Sequence, residues 1–426
     1  MADVAVQPLV EAPASDRAWS LTQRILFRFF CCYWLLYALP ESGRVWIFGS
    51  VPGIDTVMKP YTKMWHAVVP WVAIHIFHVT GRPATYFPTG SGDTTLQYIH
   101  NLLYLVVALA ATAIWSILDR RRAEYRTLHG WLRLLVRYTL SFTLLDYGFV
   151  KVFPLQFRQP GFARLIEPYG EFSPMGALWW FMGASTPYII FSGAAEVTGG
   201  LLLLFRRTTS LGAMVSFAVM ANVVALNYCY DVPVKLYSSN ILLMAVFLAA
   251  PDLRRLADVL VFNRASVPVD LSAPRFEHRW VRIAAAVFGV LLVGTQLVEN
   301  LYQGWKGYQQ SRVHPARPPL YGLYDAESGA PPNWRKVAVD FQNGFTVRMT
   351  DDTTRFFQTD YDLPKSAITV NKKDTLGWTR PDPDHVVLSG TWEGTAITIR
   401  LRKIDASKFL LVSRGFHWIN EMPLNR

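Results

Sequence analysis

Five ionisable side chains stand in stretches of sequence where charge is expensive. Asp146 and Lys151 lie in WLRLLVRYTLSFTLLDYGFVKVF, Glu196 in YIIFSGAAEVTGGLLLLF, and Asp231 and Lys235 in NYCYDVPVKLYSSN. A charge at hydrocarbon depth costs roughly 2.5–3.5 kcal/mol, so such groups are expected to face a helix bundle or a cavity. On a helix, Ser192, Glu196 and Gly199 share one face, which sets the carboxylate in a stripe of small residues open to a second helix. There it either makes an inter-helix hydrogen bond or, protonated, donates to a quinone-like carbonyl. Lys151 has three readings: it snorkels to the interface, neutralises Glu196, or binds an anionic headgroup. Asp146 precedes Lys151 by five positions, a rotation of about 140°, so its partner is expected on another helix. Asn222, Asn227 and Tyr228 add polar groups nearby. Lys151, Glu196, Asn227, Asp231 and Lys235 together are expected to line one polar cavity open to the outer face, although Asp231 also reads as a plain turn residue. His75 and His78 form an HxxH pair, with His66 upstream and His100 as a candidate third member. They read as interfacial histidines or as haem or metal ligands, and no metal site is assigned. Cys31, Cys32 and Cys229 lack metal-site spacing and read as small residues of apolar segments.

The elements that hold these residues are apolar runs bounded by arginines. The sequence predicts about seven spans, over residues 25–39, 97–118, 138–153, 188–205, 211–228, 236–250 and 283–298. Arg28, near the start of the first, is expected to snorkel. KMWHAVVPWVAIHIFHVTG, broken by Pro70, reads as an interfacial or re-entrant helix. Asp93, Thr94 or Thr95 is expected to cap the second span. Residues 119–137 hold six Arg against two acids and read as a cytoplasmic loop. FPLQFRQPGFARLIEPYGEFSPMG reads as an external segment with a short amphipathic helix. The first 22 residues read as a disordered cytoplasmic tail.

Beyond residue 301 the pattern changes to short alternating runs: KVAVDF, GFTVRMT, RFFQTD, AITVN, HVVLSGTW, TAITIRLRK and FLLVSRGF. Asn343-Gly344 gives a two-residue hairpin signal, and Gly390, Gly394, Pro381 and Pro383 punctuate the rest. The expected fold is mainly α: a polytopic transmembrane bundle over residues 23–300, then an extracytoplasmic antiparallel β barrel or sandwich over 301–426.

The chain has 426 residues, 51% of them apolar, and a net charge of +11; its mean hydropathy is +0.19. Because the arginines flank apolar runs, the positive charge points to membrane loops and away from nucleic acid. No nucleophile elbow, phosphate loop or dinucleotide fingerprint is present.

A helix ending in YGxxK (Lys151), then a helix carrying Glu196, Gly199 and Gly200 and closing on Arg206 and Arg207, resembles the DoxX family of small bacterial membrane proteins. The likeness covers about residues 131–256. The opening span and the terminal β domain are more like the wider superfamily, which includes the membrane part of vitamin-K-dependent carboxylases, but no carboxylase motif can be placed. DoxX proteins are compact four-helix units, and this chain adds helices on both sides. The resemblance implies a redox association, with a quinone as the possible cofactor and a membrane redox or envelope protein as partner, in a bacterial inner membrane. A lipid or solute transporter, an assembly factor, and a scaffold for an envelope protein stand as alternatives.

Overall fold

The computed structural model describes residues 18–41, 44–268, 276–328 and 333–424. Most of the expected N-terminal tail lies outside the described residues. The helices are α1 (Leu21–Tyr37), α2 (Ile54–His75), α3 (Thr95–Leu118), α4 (Arg126–Val152), α5 (Phe162–Leu165), α6 (Pro174–Ala184), α7 (Thr186–Leu204), α8 (Thr209–Cys229), α9 (Lys235–Ala249), α10 (Leu253–Leu260), α11 (Arg279–Tyr308) and α12 (Leu410–Ser413). Among the described residues, five helical segments are long and apolar enough to cross a membrane: Thr95–Leu118, Thr186–Leu204, Arg206–Cys229, Lys235–Leu260 and Arg279–Val313. They correspond to five of the seven expected spans. The other two fall on α1, with 17 residues, and on α4, whose 27 residues carry Arg126, Arg133, Arg137, Asp146 and Lys151.

Several local expectations are corrected. The basic segment 119–137 is not all loop, because α4 begins at Arg126. KMWHAVVPWVAIH is not broken at Pro70; α2 runs through Pro60 and Pro70. His78 lies beyond α2 with φ 54°, so it does not share a helical face with His75. The expected external helix is the four-residue α5, and α6 is a further helix that the sequence reading left out.

The described residues form two compact units, one within 18–145, 198–227 and 233–297, the other within 146–197, 228–232 and 298–424. In the first, Ser20 and Gln23 close a capping box at the start of α1. Arg28 is held by the protein. It is 2% exposed and donates to Tyr125 Oη, Ser116 Oγ and the Asp119 carbonyl at 2.8–3.0 Å, so its charge is dispersed over buried and partly buried acceptors. Thr94 caps α3. Asp93 instead caps α9, accepting from Lys235 N at 2.8 Å and Leu236 N at 3.0 Å.

In the second unit, β1 (Gly322–Ser328), β2 (Trp334–Phe341), β3 (Gly344–Met349), β4 (Thr354–Asp362), β5 (Ala367–Val370), β6 (Asp374–Asp382), β7 (His385–Trp392) and β8 (Thr395–Ile404) form a closed antiparallel barrel of eight strands among the described residues. Each strand pairs with its sequence neighbour, and β8 returns to β1. The barrel is filled. Val347, Val370, Leu376 and Ile399 are fully buried, and Trp334, Phe345, Phe357 and Trp392 pack ring to ring with centroids 5.1–6.1 Å apart. Between β7 and β8, Glu393 (φ 50°) and Gly394 (φ 83°) make a tight turn with both residues left-handed. The β2–β3 hairpin pairs Phe341 with Gly344, so its turn residues are Gln342 and Asn343, one position earlier than Asn-Gly. Pro381 falls inside β6.

This unit also ties the barrel to the segment after α4. Asp340 of β2 accepts from the backbone N–H groups of Phe162 and Ala163 at 2.9 and 2.7 Å, and burial pushes its carboxyl above the usual carboxylate range despite them. Arg348 donates to the Ile166 carbonyl at 2.8 Å. Arg312 donates to the carbonyls of Pro154 and Phe157 at 2.6 and 2.7 Å.

A buried lysine–glutamate pair and a buried histidine cluster

Lys151 and Glu196 meet. The ammonium of Lys151 donates to both carboxylate oxygens of Glu196, at 2.9 and 2.7 Å, and the two side chains are 9% and 4% exposed. Its remaining hydrogen lies toward the Tyr147 carbonyl at 3.5 Å. The pair therefore saturates itself within the protein.

Glycine makes this approach possible. A Cβ added at Gly193 would stand 2.6 Å from both the Gly148 carbonyl oxygen and Lys151 Cβ, and one added at Gly148 would stand 2.7 Å from Val197 Cγ2. The seam between α4 and α7 in this unit thus runs along Gly148, Gly193 and Val197. Ser192 does not line it; its hydroxyl donates to the Ile189 carbonyl at 2.8 Å. The expected stripe of Ser192, Glu196 and Gly199 is therefore displaced by one position. In the other unit Ser141 donates to the Gly200 carbonyl at 2.7 Å, and a Cβ at Gly199 would stand 3.0 Å from Ser216 Oγ.

Asp146 is half-buried, and Glu299 of α11, an acid and not a compensating base, acts on it electrostatically. Asn227 is buried and donates to Ser238 Oγ at 3.0 Å. Lys235 Nζ lies 3.9 Å from Asp93. Asn222 and Tyr228 are exposed, and Asp231 is an exposed turn residue with φ 52°. Within its unit the structure brings Lys151 and Glu196 together; Asn227 and Lys235 have their own local partners, and exposed Asn222 lines no buried site.

His100 belongs to a second constellation, inside the first unit. It is fully buried, and its Nδ1 lies 3.4 Å from the Glu41 carboxylate, whose side chain is also fully buried. The His100 ring packs against Trp65 at 4.8 Å and Tyr104 at 4.4 Å. The Arg44 guanidinium stacks over Tyr37 at 4.1 Å and Tyr104 at 5.4 Å, and Glu41 and Arg44 attract each other electrostatically. His66 stacks on Tyr86 at 4.3 Å, and burial pushes the Tyr86 hydroxyl above the usual phenol range. The sequence reading named His100 and His66 here but missed Glu41, Arg44, Trp65, Tyr86 and Tyr104. Glu41 and Arg44 follow Pro40, and neither they nor the aromatics carry a motif. His75 instead has its Nδ1 2.8 Å from the Trp71 carbonyl. Among the described residues, no three His, Cys, Asp or Glu side chains converge as a metal would require.

The fold is thus that of a helical protein with membrane-length apolar helices and a β barrel. No family model matches the chain, and no solved structure matches it. It is similar to an uncharacterized Bacillus subtilis (strain 168) protein, YwoB, at 29% identity over 144 residues, which is 32% of this chain and 83% of that one.

Proposed function

We propose that the chain is a DoxX-like protein of a bacterial inner membrane that takes part in the redox handling of a quinone or other lipophilic molecule. In this reading it spans the membrane about seven times, with its N-terminus in the cytoplasm and the barrel outside, and it works beside a membrane redox or envelope protein.

One observation carries the reading: Lys151 grips both oxygens of Glu196 inside a tight helix seam. A seam that needed only adhesion is served as well or better by apolar side chains of equal volume, because desolvating two charges offsets their attraction. Two titratable groups kept there favour a role in which a proton is held and released. The pair holds that proton; it has no spare donor to hold a ring. A quinone, when bound, supplies carbonyl oxygens that take up protons on reduction. Glu196 serves as the exchanging group, and Lys151 fixes its carboxylate and sets its charge.

The alternative, a lipid or solute carrier that passes its cargo to the β domain, is less supported, since the barrel is packed with side chains. The test is purification of the full chain in detergent, chromatography of its extract for quinone, and reconstitution with a quinone-reducing partner. The reading expects co-purifying quinone, with proton uptake lost in Glu196→Gln. Quinone-free protein, or a mutant with unchanged electron transfer and proton uptake, refutes it.

A further inference from the structure

The cluster around His100 contains buried polar atoms that find no hydrogen-bond partner among the described residues. They include Trp65 Nε1, Tyr86 Oη, Tyr104 Oη, both ring nitrogens of His100 and Arg44 Nη1. Trp65, His100 and Tyr104 are 6%, 0% and 0% exposed. The Tyr61 hydroxyl lies near Tyr104 and Trp65 without closing a hydrogen bond of good geometry to either. Each buried polar group left without a partner costs on the order of 1–3 kcal/mol, so a native cluster of five calls for a specific cause.

The atoms have a common chemistry. Arg44 and Trp65 are donors only; the tyrosine hydroxyls and the imidazole can donate. The neighbouring acceptor, Glu41, lies against His100 and Arg44. A molecule completing this set brings acceptor oxygens. The groups belong to rings in mutual contact: Trp65 meets Tyr104 edge-on at 5.1 Å and lies 4.8 Å from His100. Aromatic surroundings favour a flat ring. With Glu41 set against Arg44, the surroundings are close to charge-balanced and favour a neutral ligand.

We propose that Arg44, Trp65, His100 and Tyr104 form a binding site for a flat, neutral ring bearing carbonyl oxygens, held by donated hydrogen bonds and ring contacts. The site shares only its ligand class with the proposed function; it does not depend on Lys151 or Glu196.

The test is photolabelling of the purified full chain in detergent with an azido-naphthoquinone, followed by mass mapping. Adducts are expected on α2 and α3 near Trp65 and His100. Unlabelled naphthoquinone should compete them away; naphthalene, which has the ring but no oxygens, should not. Trp65→Phe and His100→Gln remove one donor or reshape one while keeping bulk. Each is expected to weaken competition by about tenfold, the effect of one lost hydrogen bond of ordinary strength, in protein that elutes like the wild type. Asn222→Ala, on the exposed side of α8, should change nothing. Equal labelling in both variants, equal competition by naphthalene, adducts confined to α4 and α7, or none at all would each overturn the site; the last would mean internal water alone completes these groups. Labelling is read without turnover, so failed proton coupling in Glu196→Gln leaves this result untouched, and the reverse holds too.

Discussion

Replacing Lys151 by Met while leaving Glu196 in place strips a buried carboxylate of the ammonium that holds both its oxygens at 2.7–2.9 Å. With side-chain exposures of 9% and 4%, water offers little compensation. Breaking such a pair from one side costs about 3–5 kcal/mol, whereas replacing both partners with apolar groups of similar volume is close to neutral. Lys151→Met and Glu196→Met are each expected to lose about 3–5 kcal/mol, and the double variant to recover most of it. The signature is therefore strong non-additivity in a double-mutant cycle. The stranded carboxylate relieves itself by binding a proton, so the Lys151→Met penalty should shrink as pH falls, by at most about 1.4 kcal/mol per pH unit. The assay is reversible unfolding in mixed micelles of increasing dodecyl sulfate, followed by circular dichroism. Single losses that add to within about 0.5 kcal/mol, with no pH dependence, would refute the reasoning and leave the two side chains as independent neighbours.

Three further outcomes are expected. Gly193→Ala pushes a methyl into the Gly148 backbone and Lys151 Cβ, both 2.6 Å away, and should cost about 1–3 kcal/mol in the same unfolding assay. Trp392→Ala empties one corner of the aromatic cluster in the barrel and should cost about 3–5 kcal/mol, read as an earlier loss of near-ultraviolet circular dichroism on heating. In the barrel, the His385 ring beside Asp382 holds that carboxyl below the usual carboxylate range. A depressed carboxyl adds stability above its unfolded pKa, and this is lost as pH falls through its folded value. Asp382→Asn should therefore flatten the acid limb of a stability–pH curve below about pH 4, with little change at neutrality.

What the sequence revealed follows from what is local. Apolar length set four helices, α3, α7, α8 and α9, within a few residues of their final bounds, because every backbone group in such a run can be satisfied inside the helix, whereas α11 runs ten residues past the end that its apolar stretch suggested. Alternation and turn residues showed the β domain. The β2–β3 turn was read one residue late because Gly344 serves a cross-strand need, not a turn. A Cβ there would stand 2.2 Å from the Phe356 ring, and Phe356 is ten or more positions away in sequence. The partners of Arg28 were not legible for the same kind of reason: its acceptors lie 88–97 positions downstream. The Lys151–Glu196 pair was legible as two costly charges, and neutralisation was one reading of Lys151. Which small residues form their seam was not, since a one-residue shift rotates a helical face by about 100°. The His100 cluster was least legible: Glu41, Trp65 and Tyr104 carry no motif, and only the packing of α2 and α3 around the turn after α1 gathers them.

The return of β8 to β1 also decides how the barrel can be recognised. A closed ladder leaves no row of unpaired backbone groups, so a stranger's peptide cannot be taken up by lengthening the sheet. Any protein that engages this module must read its turns and outward side chains. For the same reason, copies crowded together on one membrane have no ready way to zip into a continuous sheet.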